Sequence, residues 1–191
     1  MIDFIPYTEA IKYSEVLRHI RGGGLQSITM YGPIGAMTDF VTARVIFTHE
    51  SSATAFYERG QNPGLKILGQ PVRVWQVMEP TYPPNEELEQ EIYEQNYTRL
   101  LVIDFNNDKL EATLQHKLAG FISQALVIDI RATTDGATLV EFTSIDDSAR
   151  ALRILMADPD FSGVQFDFEE DYCAKKYDDT TESAQSTDAV Q

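Results

Sequence analysis

The chain is short of cysteine, of long apolar runs and of positive charge, and each shortage excludes a class of protein. Cys173 is the one cysteine in 191 residues, so no internal disulfide can form and a reducing compartment is expected. The longest apolar runs, such as Leu100 to Ile103, fall far below the roughly 18 residues that a bilayer span needs. The opening Met-Ile-Asp-Phe-Ile-Pro has neither the basic stretch nor the apolar region of a secretory signal. Fifteen Lys and Arg against thirty Asp and Glu give a formal net charge of −15, which excludes a basic coater of DNA. What remains is ordinary globular composition, with 43% hydrophobic residues, in a length that suits two small domains.

The negative charge is unevenly placed. Residues 1–80 balance seven bases (Lys12, Arg18, Arg21, Arg44, Arg59, Lys66, Arg73) against seven acids, whereas 81–97, 98–173 and 174–191 carry −5, −8 and −2. Binding a polyanion rests on counterion release by Lys and Arg, so such a partner is expected on the first half.

Composition also marks the boundaries. Pro80, Pro83 and Pro84 cannot all sit in a packed helix or central strand, so a linker is read here. A short acidic helix follows from Asn85, its N-cap, with Leu88 and Ile92 on one face for docking. Residues 174–191 are rich in Ser, Thr and Asp and read as a disordered tail. The expected division is therefore 1–80, a linker and helix over 81–97, 98–173, and the tail.

Both large segments present the same order of elements. In the first, Ile2 to Ile5 is a strand, and Tyr13, Val16, Leu17 and Ile20 mark a helix stopped by Gly22-Gly23-Gly24. Leu25 to Tyr31 and Thr42 to Phe47 form a hairpin, Ser51 to Arg59 a second helix, and Val72 to Trp75 a closing strand. In the second, Arg99 to Phe105 is a strand and Leu110, Leu114, Leu118 and Phe121 form a helical stripe. Leu126 to Arg131 and Ala137 to Phe142 pair across Thr134-Asp135-Gly136, a good hairpin turn. Ser144 to Asp147 caps a helix through Ala149, Leu152 and Met156, and Val164 to Phe168 ends the unit. Val45-Ile46-Phe47 recurs as Val140-Glu141-Phe142, 95 residues on. The fold class is thus α+β, two ferredoxin-like βαββαβ domains in tandem.

With Tyr13 to Leu25, Thr42 to Phe47 and the acidic helix before Thr98-Arg99, the chain resembles a tandem of RNA recognition motifs (RRMs), of the fungal negative-regulator-of-differentiation type. The resemblance covers Met1 to about Cys173 and implies single-stranded RNA binding in the nucleus or cytoplasm, without catalysis. In that family bases stack on aromatics of an octamer and a hexamer on the two central strands. The second copy's octamer, Asp135 to Phe142, has Ala137 and Leu139 at the stacking positions, and its hexamer, Leu100 to Phe105, has Leu101. The first copy's octamer, Phe40 to Phe47, has Thr42 and Arg44, and aligning Ile5-Pro6 with the hexamer's end puts Met1 at the aromatic position. Arginine can lay its plane on a base and pair with phosphate.

Strand alternation predicts what each sheet leaves open. In the first copy the open face shows Tyr31, Thr42, Arg44, Arg73 and Trp75, a set that suits single strands. The other reading has Trp75 and Tyr31 covering apolar surface against the linker helix. In the second copy alternation exposes Leu101, Ile103, Val127, Asp129, Ala137, Leu139, Gln165 and Asp167. Leu101, Ile103, Val127 and Leu139 would form an apolar patch for a protein partner, for a second copy, or for docking of this chain on itself. A scaffold that binds no RNA is the competing function.

Other motifs lead nowhere. Arg21 to Gly24 lacks the Gly-Lys-Ser/Thr of a phosphate loop and reads as a helix stop. His19, His49 and His116 are scattered, and Glu86, Glu87, Glu89 and Glu91 read as a solvated face, so no metal or cofactor is expected. Asp158-Pro159-Asp160-Phe161 lacks the arginine of peptide-binding relatives, which leaves Phe161 as a core anchor. No catalytic set stands out.

Overall fold

The computed structural model describes residues 1–7, 11–33, 39–77, 85–104, 109–121 and 126–176. Pro80 to Pro84, Phe105 and the tail beyond 176 lie outside them, as do the side chains of Leu110 and Phe121. The architecture is α+β, with two antiparallel sheets and helices interleaved between their strands.

In the first half, β1 (Ile2–Pro6), β2 (Leu25–Tyr31), β3 (Phe40–Phe47), β4 (Leu65–Ile67) and β5 (Gln70–Val74) form a sheet ordered β2-β3-β1-β5-β4. Helices α1 (Tyr13–Leu17) and α2 (Glu50–Arg59) cover one side, burying Val16, Leu17 and Phe56 against Ile28, Ala43, Val72 and Val74. Helix α1 is one residue over a turn long. The Arg21 guanidinium closes it by donating to the Leu17 and Ile20 carbonyls at 3.0 and 2.6 Å, and the Leu17 carbonyl also accepts from the Ile20 N–H at 3.1 Å. A bulge between Ile2 and Ile5 takes up one extra residue, so both isoleucines reach the core although three positions apart. Phe4 absorbs that bulge with φ +63°. The β4–β5 hairpin was not expected: Leu68 and Gly69, both at positive φ, make its two-residue turn.

After α3 (Glu86–Tyr93), capped by the Asn85 side chain accepting from the Glu87 N–H at 3.2 Å, the second half begins. Strands β6 (Leu100–Asp104), β7 (Val127–Ala132), β8 (Thr138–Phe142) and β9 (Gln165–Phe168) form a sheet ordered β7-β8-β6-β9. Helices α4 (Lys109–Phe121) and α5 (Ile145–Ala157) supply Leu114, Leu118, Leu152 and Leu155 to its core, with Phe161 beside them. Ser144 caps α5 by accepting from the Asp147 N–H at 3.1 Å. Met156, expected on the buried stripe, is 67% exposed, and Leu155 takes that place.

The face expected to be open in the second sheet is corrected. Leu101 and Ile103 are both 0% exposed and lie in the core, opposite Val140 and Thr138, and Val127 packs on the same core. Leu100, Leu101, Val102 and Ile103 are all apolar, so alternation had nothing to distinguish. Leu139 does lie on the other face, opposite Val102 and Arg131, but is 3% exposed. No apolar patch of these four residues exists for a partner.

A buried ionic cluster joins the halves. Arg99, fully buried, donates from Nε and Nη2 to the two carboxylate oxygens of Asp171, both at 3.0 Å, and from Nη1 to the Phe142 carbonyl at 3.0 Å. The same Nη1 lies 3.3 Å from Glu141 Oε1, which also accepts from the Tyr172 hydroxyl at 2.7 Å. Asp171 in turn accepts from the Leu25 N–H of the first half at 3.1 Å and from the Cys173 N–H at 2.9 Å. Cys173 thereby enters the first half's core, and Gly23 N–H donates to its carbonyl. Ile28 N–H, on the edge strand β2, donates to the Thr143 carbonyl at 2.8 Å.

Burial acts to lower the Arg99 guanidinium, but Asp171, Cys173 and Glu141 outweigh it and hold it above its ordinary value. Burial first, and then the Asp171 carboxylate, push the Cys173 thiol well above the usual thiol range. Thiolate is the reactive form. Iodoacetamide at mildly alkaline pH is therefore expected to leave the native chain unlabelled and to label it once unfolded, as read by mass spectrometry. Asp171→Ala strands the guanidinium and should cost about 3–5 kcal/mol in urea unfolding. Glu15→Ala, which breaks the exposed Arg18–Glu15 pair, should cost under about 1 kcal/mol.

Candidate nucleic-acid interface

Pairing places Tyr31, Arg44, Arg73 and Trp75 on one face of the first sheet, opposite the helices. Thr29 lies opposite Arg44, and Ile2 opposite Ala43 sets Met1 beside Arg44. Met1 and Trp75 exchange both backbone hydrogen bonds, at 2.9 and 2.6 Å. One row across the sheet therefore reads Thr29, Arg44, Met1, Trp75. Tyr31 lies opposite Thr42, and Asp3 opposite Arg73, so the next row reads Tyr31, Thr42, Asp3, Arg73.

Alternation explains the sidedness: Ile28, Val41, Ala43, Val72 and Val74 take the inward positions and fill the core. Tyr31 is 47% exposed, Arg73 is exposed, and Arg44 and Trp75 are half-buried. Among the described residues, neither Arg44 nor Arg73 has a hydrogen-bonded or ion-paired side-chain partner.

Asp3 organises the centre. One carboxylate oxygen accepts from Thr42 Oγ1 at 2.7 Å and the other from Trp75 Nε1 at 2.6 Å. These bonds hold the indole on the sheet and orient the carboxylate. Phe40 shares the face with Thr42 and Arg44, and Phe4 packs on it with ring centroids 4.8 Å apart. Phe4 is itself 47% exposed. Among the described residues the face thus carries four aromatic side chains, two unpaired guanidinium groups and one carboxylate.

Sequence reading missed Asp3, Phe4 and Phe40. Phe40 could have been found by extending β3 two residues toward its start, where it has the parity of Thr42. The bulge that turns Phe4 outward has no comparable signal.

The linker helix does not cover Trp75 by any observed contact. It docks instead on α5, through Arg153 Nη2 to Glu91 at 3.0 Å, and the Tyr93 hydroxyl donates to the Thr48 carbonyl at 2.6 Å. Burial, offset in part by Arg153, raises the Glu91 carboxyl above its usual range.

On the second sheet the face away from α4 and α5 carries Glu141, Leu139, Asp129, Arg131, Asp167 and Gln165. Ala137, a stacking position of the second octamer, is buried. The register also moves the hexamer's stacking position: Val102, opposite Leu139, is the counterpart of Met1, opposite Arg44. No aromatic is restored by the shift.

A cleft of about 590 Å³ lies at the seam of the halves, lined by Gly24, Leu25, Thr48, Tyr93, Glu170 and Asp171 among others. Its acids suit no polyanion, and Asp171 is committed to Arg99. Among the described residues no cluster of three His, Cys, Asp or Glu is placed to hold a metal ion, and no helix is long and apolar enough to cross a membrane. No protein-family profile and no curated protein matches the chain.

Trp75→Phe keeps the ring but removes the bond to Asp3. It is expected to lower stability by about 1 kcal/mol, because the bond is charge-assisted but half-exposed. Arg73→Ala, at an exposed unpaired side chain, should stay within about 0.5 kcal/mol of the parent in the same urea titration.

Proposed function

We propose that the chain is a non-enzymatic protein of RNA metabolism, acting in the nucleus or cytoplasm. In this reading two ferredoxin-like, RRM-like units stand in tandem, and the first binds single-stranded RNA on its open sheet face. Arg44 and Arg73 would contact phosphate or lie flat on bases, and Tyr31 and Trp75, joined by Phe4 and Phe40, would stack bases.

The observation that carries the reading is the pair of adjacent rows holding Arg44, Trp75, Tyr31 and Arg73, with both guanidiniums unpaired among the described residues. An arginine with no carboxylate among the described residues, in a chain of net charge −15, supports an anion from outside. Base stacking on such rings is worth about 1–3 kcal/mol each and tolerates any sequence. Phe4 at φ +63° supports the same reading, since a bulky residue held in the left-handed region presents an outward ring at a conformational cost.

The second unit is read as structural, with the chain's own C-terminal segment docked on it. The competing scaffold without RNA, motivated by the net charge of −15 and the missing stacking aromatics, loses one docking surface, since Leu101, Ile103 and Leu139 are buried.

Fluorescence anisotropy with a labelled single-stranded RNA tests this. Arg44→Glu should abolish binding, and Trp75→Ala should weaken it about tenfold or more, with circular dichroism unchanged. If both arginines meet phosphate, log affinity should fall with log salt at a slope of about −1.4, moving to about −0.7 in Arg44→Ala. Binding that ignores salt and Arg44→Glu alike would sink the proposal.

A further inference from the structure

We propose that Asp3 selects guanine among the bases on this face; the inference rests on the RNA-binding reading above. A carboxylate at the centre of a phosphate-binding surface is out of place by charge alone. Its position opposite Arg73 would allow neutralisation, yet no ion pair forms between them among the described residues. Two neutral donors, Thr42 Oγ1 and Trp75 Nε1, hold it instead, one to each oxygen.

An ionised carboxylate accepts about four hydrogen bonds, so one acceptor site is left on each oxygen. Both remaining sites belong to a group already fixed in orientation and flanked by rings on which a base can lie. A phosphate is repelled from this point and directed to Arg44 and Arg73, which leaves the edge of a base to meet Asp3.

The base edges differ in what they offer. Guanine presents two adjacent donors, N1–H and the N2 amino group, spaced to meet two carboxylate oxygens. Adenine and cytosine present one amino donor beside a ring nitrogen whose lone pair would face the second oxygen. Uracil presents one N–H between two carbonyls. The chemistry therefore ranks guanine first and uracil last, by the same logic through which carboxylates read amino donors on DNA.

The test compares the full chain's affinity, by anisotropy, for a short oligouridylate, the same strand with one central guanosine, and the same strand with inosine there. The guanosine strand is expected to bind about tenfold more tightly than oligouridylate, the low end for one bidentate base contact. Inosine, which lacks the N2 amino group, should lose most of that gain. Asp3→Asn should level the guanosine and uridine strands, because one of the two acceptor oxygens becomes an amide donor.

If that variant does not fold, the inosine comparison on the unaltered chain decides. Measurable and equal affinity for all three strands overturns the role of Asp3 and leaves RNA binding standing. Binding to none of them overturns both.

Discussion

Arg99 is a cation taken out of water at the start of β6, and the placement of the two halves follows from how it is satisfied. It reaches Asp171, Glu141 and the Phe142 carbonyl within one side chain's length, and Asp171 passes the connection to the Leu25 N–H of the first half. Desolvating these charges offsets most of their attraction, so the cluster adds little net stability over an apolar substitute. Its effect is on alternatives. Any displacement of residues 169–174 strands a guanidinium in a dry site, which costs far more than a lost apolar contact. Arg131, 3.6 Å from Glu141 and 2.8 Å from Asp129, brings a second cation to the edge of this group.

This seam also decides which sheet face stays open. Tyr172 and Cys173 enter the first half on the side of Leu17 and Val16, where Arg21 lies 5.6 Å from the Tyr172 ring centre. The opposite face, with Arg44 and Trp75, receives nothing from that segment. On the second sheet the relation is reversed. Tyr172 bonds Glu141, on the face away from α4 and α5, so the segment covers the surface that corresponds to the open one in the first half. The two sheets thus present unequal surfaces, and the segment that packs into one half covers the other.

How much of this was legible in the sequence depended on whether a residue's neighbours contrasted with it. In β2 and β3 apolar and polar residues alternate around Ile28, Arg44 and Val45, so parity and the open face could be read, although β3 starts two residues before the expected Thr42. Leu100 to Ile103 offered four apolar residues in a row, and parity there was set only by the register with β8. The hairpin turn at Leu68-Gly69 went unread because leucine is a poor marker for positive φ. Arg99 looked like an ordinary strand-flanking base. Its burial depends on Asp171, 72 residues away, and no local pattern reports such a pairing. Asp3 was hidden for a similar reason, since its partners Thr42 and Trp75 come from two other strands.

The remaining tension is between a net charge of −15 and the proposed binding of a polyanion. It is resolved by distance. At physiological salt the screening length is about 8 Å, so acids elsewhere on the chain contribute little to the field over Arg44 and Arg73. Many acids are also tied locally: Asp158 to Lys117, Asp129 to Arg131, Glu91 to Arg153, and Asp171 to Arg99. Those pairings use up most of the cations of the second half, whereas Arg44 and Arg73 of the first have no side-chain partner among the described residues. On the proposed reading, what a polyanion would meet at this face is set by a few side chains on adjacent strands, while the overall charge would repel it elsewhere.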